Sequence, residues 1–393
     1  MKIKLKEVTG KTGIVVDGDW VESKDQDING DVRLIQLADI GQGKFLDRSA
    51  RFLTRETAKK LNCTYLKEGD ILIARMPDPI GRACVFPNII QPCVTVVDVC
   101  VVRVDPDFVD NRWLMWILNS PHFRFQLTPF LSGTTRQRIS RKNLESLKIS
   151  LPPIASQRRI ANILDKADEI IRKRKEAIAL TEQLLKSTFL DMFGDPVINP
   201  KGWEIKPLNS FGKILTGNTP PRADIDNYGD HIEWIKSDNI TIPEHFLSEA
   251  TEKLSTKGKK LGRVVPKDSI LVTCIAGSKS SIGRAGLADR EVAFNQQINA
   301  IIPNSEINPF FLYSHFFVFQ NLVQEKSTDS MKGMVNKTEF SNIEFMKPPK
   351  EDQEKFGDFF KNFHRYYKSL KIHLQESENL FNSLLQKAFK GEL

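Results

Sequence analysis

One segment of this 393-residue chain, from Pro152 to Phe193, predicts a single long helix and constrains everything around it. After Pro152-Pro153 the segment contains no further proline and no glycine, the two residues that interrupt helices most often. Its apolar residues follow a heptad rhythm, with doublets at Ile163/Leu164, Ile170/Ile171 and Leu184/Leu185. A narrow apolar stripe of this length is typical of a helix that packs along a second helix.

A second copy of the segment lies 196 residues further along the chain. Pro152-Pro153 falls on Pro348-Pro349, and Gln157 falls on Gln353. The apolar doublets fall on Phe359/Phe360, Tyr366/Tyr367 and Leu380/Phe381. Because 196 is a whole number of heptads, the two apolar stripes share one phase. The two segments therefore predict two long helices that pack together as an antiparallel coiled coil.

The regions between these helices also repeat. Ile80-Gly81-Arg82-Ala83 recurs as Ile282-Gly283-Arg284-Ala285. Likewise, Asp70-Ile71-Leu72 aligns with Ser269-Ile270-Leu271. Short β-rich runs alternate with turns, and helices are predicted at 110–119 and 121–130. The predicted fold class is α+β, with two similar globular α/β domains separated by two long helices and an internal pseudo-two-fold duplication. The predicted domain boundaries are 1–150, 151–195, 196–347 and 348–393.

The overall charge favours a polyanionic partner. The chain has a net charge of +8 and an isoelectric point of about 9.1. It lacks a run of about 18 apolar residues and an apolar leader, so we expect a cytoplasmic protein with no membrane partner. Its five cysteines are irregularly spaced and mostly flanked by apolar residues, which predicts buried free thiols.

Several short motifs superficially suggest catalysis, but none is complete. Leu151-Pro152-Pro153-Ile154 lacks the Asn or Asp before the prolines and the aromatic residue after them that the catalytic loop of amino-methyltransferases needs. Gly10-Lys11-Thr12 lacks the upstream glycine of a phosphate-binding loop, because Leu5 stands there. The six histidines never pair at metal-ligand spacing. We therefore expect no catalytic residue, no metal site and no cofactor.

Two polar loops are better candidates for a functional site, because each loop occurs at an equivalent place in both globular regions. Arg, Lys, Ser, Thr, Gln and Asn side chains suit phosphates and the edges of bases. A single basic loop is more often only a solvated surface, but two such loops on a duplicated scaffold favour DNA binding. The candidate DNA-binding residues are Arg75, Arg82, Thr134, Thr135, Arg136, Gln137 and Arg138 in the first region, and Ser278, Lys279, Ser280, Arg284, Lys332, Asn336 and Lys337 in the second.

The chain resembles the specificity subunits of Type I restriction–modification systems. The resemblance is carried by residues 152–165, by the helix end Phe189-Leu-Asp-Met-Phe-Gly-Asp-Pro196, and by Leu215-Thr-Gly-Asn-Thr-Pro220 with Ile232-Glu-Trp-Ile235. Residues 1–30 lack the Gly-x-Thr-Pro start of the second domain. The resemblance implies a non-catalytic subunit whose two domains each read one half of an asymmetric, bipartite double-stranded DNA site. It also implies two methyltransferase (M) subunits as partners, and nuclease/translocase (R) subunits bound through them.

Other interpretations remain. The chain could serve a Type II system of the IIB kind, which methylates and cuts beside a bipartite site, since such a recognition subunit would look alike. A coiled-coil scaffold without DNA binding is disfavoured by the charge and the duplicated loops. A stand-alone methyltransferase is disfavoured by the missing catalytic and cofactor motifs.

Overall fold

The computed structural model describes residues 2–241, 244–328 and 333–393. Its two long helices extend over Ile154–Phe193 and Lys350–Lys390, as the sequence predicts. The first ends where Gly194 adopts a positive φ of 81° and its N–H donates to the carbonyl of Leu190 at 2.7 Å. A left-handed glycine of this kind is a common helix terminator.

The chain divides into two compact units that each contain part of both long helices. The first unit comprises Met1–Lys175 and Ile372–Leu393, and the second comprises Glu176–Lys371. The sequence-based domain boundaries follow the secondary-structure elements, whereas these units follow the packing. Each unit combines one globular part with the start of one long helix and the end of the other.

The first globular part is built from short strands and helices. Its four-stranded antiparallel sheet has the strand order Ile14–Asp17, Val99–Arg103, Ile71–Ala74 and Ala83–Val85. Its smaller sheets comprise Phe52–Leu53, Val32–Ile35 and Cys93–Thr95; Lys2–Lys4 with Lys148–Ser150; and Leu131–Ser132 with Arg138–Ile139. Its helices are Arg55–Lys60, Asn111–Asn119, Pro121–Leu127 and Arg141–Ser146.

The second globular part repeats this plan. Its corresponding four-stranded sheet has the order Gly212–Thr216, Ile298–Pro303, Ile270–Thr273 and Ala285–Leu287. The other strands are Lys253–Leu254, Tyr228–Ile235, Val292–Phe294 and Arg263–Val265 in one sheet; Glu204–Pro207 with Glu344–Lys347; and Ile275–Ala276 with Gly333–Met334. Its helices are Thr256–Leu261, Pro309–Val318, Asn321–Gln324 and Lys337–Ser341. The α+β class and the internal duplication are confirmed.

Each long helix is attached to its globular part by a buried glutamine at an equivalent position. Gln157 accepts from the N–H of Asp110 at 2.9 Å and donates to the carbonyl of Pro152 at 2.9 Å. Gln353 accepts from the N–H of Asn308 at 3.0 Å and donates to the carbonyl of Pro348 at 2.9 Å. The matching glutamines therefore have a structural role, because they satisfy otherwise unpaired buried polar groups.

Within each unit the end of one long helix packs beside the start of the other. In the first unit, Leu164 shares a core with Leu385 of the second helix. In the second unit, Phe189 packs edge-on against Phe356 at 5.4 Å. This arrangement in each unit is antiparallel, and in several of the predicted doublets one residue is much more buried than the other. Leu185 is fully buried, for example, whereas Leu184 is 52% exposed.

The cysteines are free, and all except the partly exposed Cys63 are buried. Burial raises the pKa of the Cys274 thiol to about 12, so this sulfur stays protonated and unreactive at neutral pH. Among the described residues, no helix combines the length and apolar character that crossing a bilayer requires. In the same part of the chain, no group of three His, Cys, Asp or Glu residues is placed to hold a metal ion.

Candidate nucleic-acid interface

The structure brings the two polar loops of the first unit together. The N–H of Ile139, at the end of the hairpin 131–139, donates to the carbonyl of Arg75 at 3.1 Å. The N–H of Arg75 in turn donates to the carbonyl of Asp98 at 2.9 Å. The hairpin, the loop that begins at Arg75 and the turn 96–98 therefore lie side by side on one surface.

The same hydrogen bonds recur in the second unit. The N–H of Val335 donates to the carbonyl of Cys274 at 2.9 Å, and the N–H of Cys274 donates to that of Gln297 at 2.8 Å. Both loops also close alike, because the N–H groups of Gly81 and Gly283 donate back to the preceding strands at 2.8 Å. The predicted equivalence of the loops is confirmed at the level of main-chain contacts.

The hairpin of the first unit presents its polar residues to solvent. Thr134, Thr135, Arg136, Gln137 and Arg138 are all exposed. The guanidinium of Arg138 lies 3.7 Å from the carboxylate of Asp98, measured from Nη2 to Oδ1. An arginine held in this way keeps free N–H donors that can reach a base edge or a phosphate.

Beside this hairpin lies a concavity of about 660 Å³ with mixed chemistry. Arg136 and Arg138 line one side, and the indole of Trp20, which is 69% exposed, lines another. Gln36 and the carboxyl group of Asp19 also line it. Burial raises the pKa of Asp19 to about 6, although the N–H of Thr64 opposes this shift by donating to the carboxylate. The concavity thus combines cationic donors, an aromatic face and hydrogen-bond acceptors.

Two of the predicted DNA-binding arginines lie in the interior instead. Arg75 is 4% exposed, and its guanidinium donates to the carbonyls of Val97 and Ile139. Arg82 is 7% exposed and donates to four carbonyls, including that of Ile40 at 2.7 Å. Burial lowers the pKa of Arg82 from its ordinary value. These arginines position the loops, and the structure argues against their direct contact with DNA.

In the second unit the predicted residues have different surroundings. Ser278, Lys279 and Ser280 are exposed. Gln320 donates to the carbonyl of Ser280 at 3.0 Å and fixes this loop. Arg284 is half-buried and donates to the same carbonyl at 3.3 Å, so it is more accessible than its equivalent in the first unit.

Two of the three remaining predicted residues, Asn336 and Lys337, follow the strand Gly333–Met334. Asn336 is an N-cap, because its side chain accepts from the N–H of Glu339 at 2.9 Å. Lys337 begins the capped helix and is exposed. Lys332 lies outside the described residues.

The sequence analysis missed an equivalence near the start of the chain. The N–H of Gly18 donates to the carbonyl of Val99 at 2.8 Å. In the same way, the N–H of Gly217 donates to the carbonyl of Ile298 at 3.1 Å. A Cβ at either glycine would lie about 2 Å from a carbonyl oxygen, so both positions require glycine. Gly18-Asp-Trp20 therefore takes the place of Gly217-Asn-Thr219, and Trp20 stands where the second unit has Thr219. Only the glycine signals this match in the sequence.

The second unit also contains a cation–aromatic cluster that was not predicted. The guanidinium of Arg222 lies over the rings of Tyr228 and Trp234, at 4.7 and 5.0 Å from their centroids. The ammonium of Lys236 lies 5.2 Å from the centroid of Trp234. Glu252 accepts from both cations, and these hydrogen bonds lower its pKa to about 2. Glu252 thus neutralises part of the positive charge near the turn that follows Lys236.

Comparison with known proteins agrees with this duplicated architecture. The family model described as the Type I restriction modification DNA specificity domain matches residues 1–180 and 200–377. The HindI specificity subunit of Haemophilus influenzae is 33% identical over 163 residues, which are 39% of this chain and 33% of that protein. The EcoBI specificity subunit of Escherichia coli is 24% identical over 344 residues, which are 77% of this chain and 70% of that protein.

Solved structures show the same fold. The S subunit from M. genitalium has a TM-score of 0.61 with 16% identity, covering 99% of this chain and 96% of that one. A chain from a study of complex assembly in the type I R-M system has a TM-score of 0.60 with 17% identity, covering 100% and 98%. The family model matches both copies of the repeat in nearly their full length. This chain therefore belongs to the family of Type I restriction–modification DNA specificity subunits.

Proposed function

We propose that this chain is the non-catalytic DNA-recognition subunit of a Type I restriction–modification complex. In this proposal each unit binds one half of an asymmetric, bipartite site in double-stranded DNA. The chain also carries two methyltransferase subunits and, through them, the nuclease/translocase subunits. Family membership supports this role, and the surfaces of the two units support its details.

The observation that carries the DNA proposal is a shared main-chain frame with different side chains. Arg138 and Met334 occupy equivalent positions, since the residues after them make the same hydrogen bond. Trp20 and Thr219 are likewise equivalent. An arginine offers two N–H donors to the O6 and N7 atoms of guanine, whereas a methionine offers only apolar contact. The same frame therefore presents different chemistry, and the two half-sites should differ in sequence.

At this surface the second unit offers neutral polar groups beside the exposed Lys279. The hydroxyl of Thr219 donates to the side-chain carbonyl of Gln296. Gln297 accepts from Asn295 at 3.0 Å and from Ser237 at 3.3 Å. The side-chain carbonyl of Gln297 is thus engaged, which leaves the side-chain N–H₂ of Gln297 available for an acceptor on a base or a phosphate.

The partner proposal is carried by exposed apolar residues that repeat with the helix. Ile170 is 48% exposed and its equivalent Tyr366 is 59% exposed; Leu184 and its equivalent Leu380 are 52% and 58% exposed. Ile170 and Leu380 belong to the first unit, whereas Tyr366 and Leu184 belong to the second. Each unit thus presents one copy of the same apolar pair. Two similar apolar surfaces favour two copies of one partner.

The DNA proposal is tested with Arg136→Ala and Arg138→Ala in the full chain assembled with its methyltransferase subunits. Binding is measured on duplexes mutated in one half-site at a time. A base contact should lose about 1–3 kcal/mol and relax specificity at one position of one half-site. A phosphate contact should weaken all duplexes evenly and reduce the salt dependence. Arg159→Ala removes another exposed positive charge, on the first long helix, and serves as the matched control.

The outcome that contradicts the proposal is equally definite. If both hairpin variants bind every duplex as the Arg159→Ala control does, the hairpin is ordinary solvated surface. If the intact assembly does not prefer any bipartite duplex, the recognition role itself fails.

The partner proposal is tested by adding charge to one apolar pair. Leu184→Asp should remove one methyltransferase subunit, and Leu380→Asp should remove the other, because a carboxylate in an apolar contact is strongly unfavourable. Gln183→Asp and Asn379→Asp add the same charge at neighbouring exposed positions and should leave the complex intact. Native mass spectrometry counts the subunits. An unchanged count in both leucine variants would remove these residues from the interface.

A further inference from the structure

The net positive charge of the chain comes entirely from one of its two units. The first unit contains 32 Lys and Arg against 24 Asp and Glu, and the second contains 25 against 25. The whole net charge of +8 therefore belongs to the first unit. Because charge governs long-range attraction to DNA, the two units cannot contribute equally to the first encounter.

Part of this excess surrounds a second concavity in the first unit, which shares no lining residue with the one beside the hairpin. Its volume is about 420 Å³, and it is lined by the side chains of Lys2, His122, Lys148 and Lys390. None of the described residues that line it is acidic. The three lysines are exposed, and in the described part of the chain none of them forms an ion pair.

The wall of this concavity is aromatic. The ring of His122 lies 3.8 Å from that of Phe389, centroid to centroid. Both residues and Lys390 also line an adjoining, more apolar concavity of about 320 Å³. A rigid, partly apolar wall holds the cationic groups close to one another without compensating anions, which favours an anionic ligand.

The fold itself does not require these lysines. In the first unit Lys148 lies on the strand that pairs with Lys2–Lys4. The residue at the position equivalent to Lys148 in the second unit is Glu344, on the strand that pairs with Glu204–Pro207. The same two-stranded sheet therefore forms with a carboxylate in place of the lysine. At this position the positive charge is found in the first unit alone.

We propose that Lys2, Lys148 and Lys390, with His122, bind backbone phosphates of duplex DNA outside the hairpin surface. This inference rests on the proposed DNA-recognition function and extends it. Lysine ammonium groups bind phosphates as point charges without reading sequence. The first unit then captures DNA of any sequence, and the polar loops of both units read the bases afterwards.

The test compares two triple variants of the full chain assembled with its methyltransferase subunits. Lys2→Gln, Lys148→Gln and Lys390→Gln together remove the cluster. The control combines Lys213→Gln, Lys260→Gln and Lys267→Gln, which remove three exposed lysines of the second unit without a described ion pair. Both variants change the net charge equally, so any difference between them reflects position.

The measured quantity is the salt dependence of binding to a duplex that lacks the site. Each lost phosphate contact lowers the slope of log K against log salt by about 0.9, so three lost contacts lower it by about 2.7. From 50 to 200 mM salt, the wild type should then lose about 40-fold more affinity than the cluster variant. The slope of the control variant should differ from that of the wild type by no more than about 0.9, the value for one phosphate contact.

Each other result overturns the inference. Equal slopes for the two triple variants would show that only net charge matters, and a cluster variant that matches the wild type would show that the site is unused. If the cluster variant loses binding of free ATP, measured by calorimetry, and keeps the DNA slope, the phosphates belong to a free nucleotide and the DNA assignment fails. Wild-type half-site preference, measured in parallel, reports separately on the proposed function.

Discussion

Replacing His315 with phenylalanine should make the second unit less sensitive to acid. The ring of His315 is fully buried and lies parallel to that of Phe345, 3.8 Å away. Among the described residues neither of its nitrogens has a hydrogen-bond partner. Burial therefore lowers its pKa from 6.5 to about 3, because the charged ring would lose its hydration.

The sign and size of the effect follow from proton binding. Between pH 6.5 and 3 the unfolded chain binds a proton at His315 that the folded chain does not bind, so stability falls as the pH falls. The slope is about 1.4 kcal/mol per pH unit, which gives a loss of about 2 kcal/mol between pH 7.5 and 5.0. His315→Phe should abolish this contribution. His245, whose pKa burial lowers to about 3, should keep a similar contribution of its own.

The assay is urea unfolding of the full chain at pH 7.5 and 5.0, followed by tryptophan fluorescence. At pH 7.5 the variant should be nearly as stable as the wild type. Removing an unpaired buried N–H is favourable by about 1–3 kcal/mol, and the larger ring opposes this gain by a similar amount. His231→Gln, at an exposed histidine, should retain the full acid sensitivity. If His315→Phe loses as much stability at pH 5.0 as the wild type, the buried neutral histidine is not the cause.

Three further predictions concern packing, attachment and recognition. Leu185→Ala should lower the free energy of unfolding by about 2–5 kcal/mol, whereas Leu184→Ala should change it by about 0.5 kcal/mol, as measured by urea unfolding. Gln157→Ala should lower it by about 1–3 kcal/mol and speed hydrogen exchange at the amide of Asp110, which loses its acceptor. Trp20→Ala should weaken binding only to duplexes with an intact first half-site, and a fluorescence titration that shows equal weakening on all duplexes would contradict this.

The long helices could be predicted because heptad spacing is a local property that repeats without gaps. The spacing could not decide which residue of each doublet is buried. Neighbouring residues lie about 100° apart around a helix, so only one can face the other helix fully. Ile171 is 8% exposed, for example, whereas Ile170 is 48% exposed.

The sequence predicted which loops form the candidate site, but it did not predict which side chains of these loops are exposed. Arg82 is buried because its guanidinium donates to the carbonyls of Leu37 and Ile40. These residues lie more than forty positions earlier in the sequence, and only the fold brings them to Arg82. Glu252 meets Lys236 only through the pairing of two strands. A sequence shows that such residues are polar, but it does not show which of them fold inward.

The ungapped match between the two long helices also bears on how a gene for such a protein can change. Crossing-over between the two repeats, at equivalent points such as Lys175 and Lys371, would join one helix to the other without disturbing the seven-residue phase. The shortened product would encode one globular part and one complete long helix. Two copies of that product could pair along their helices and would then present identical surfaces, so that the asymmetric target proposed above would be exchanged for a palindromic one.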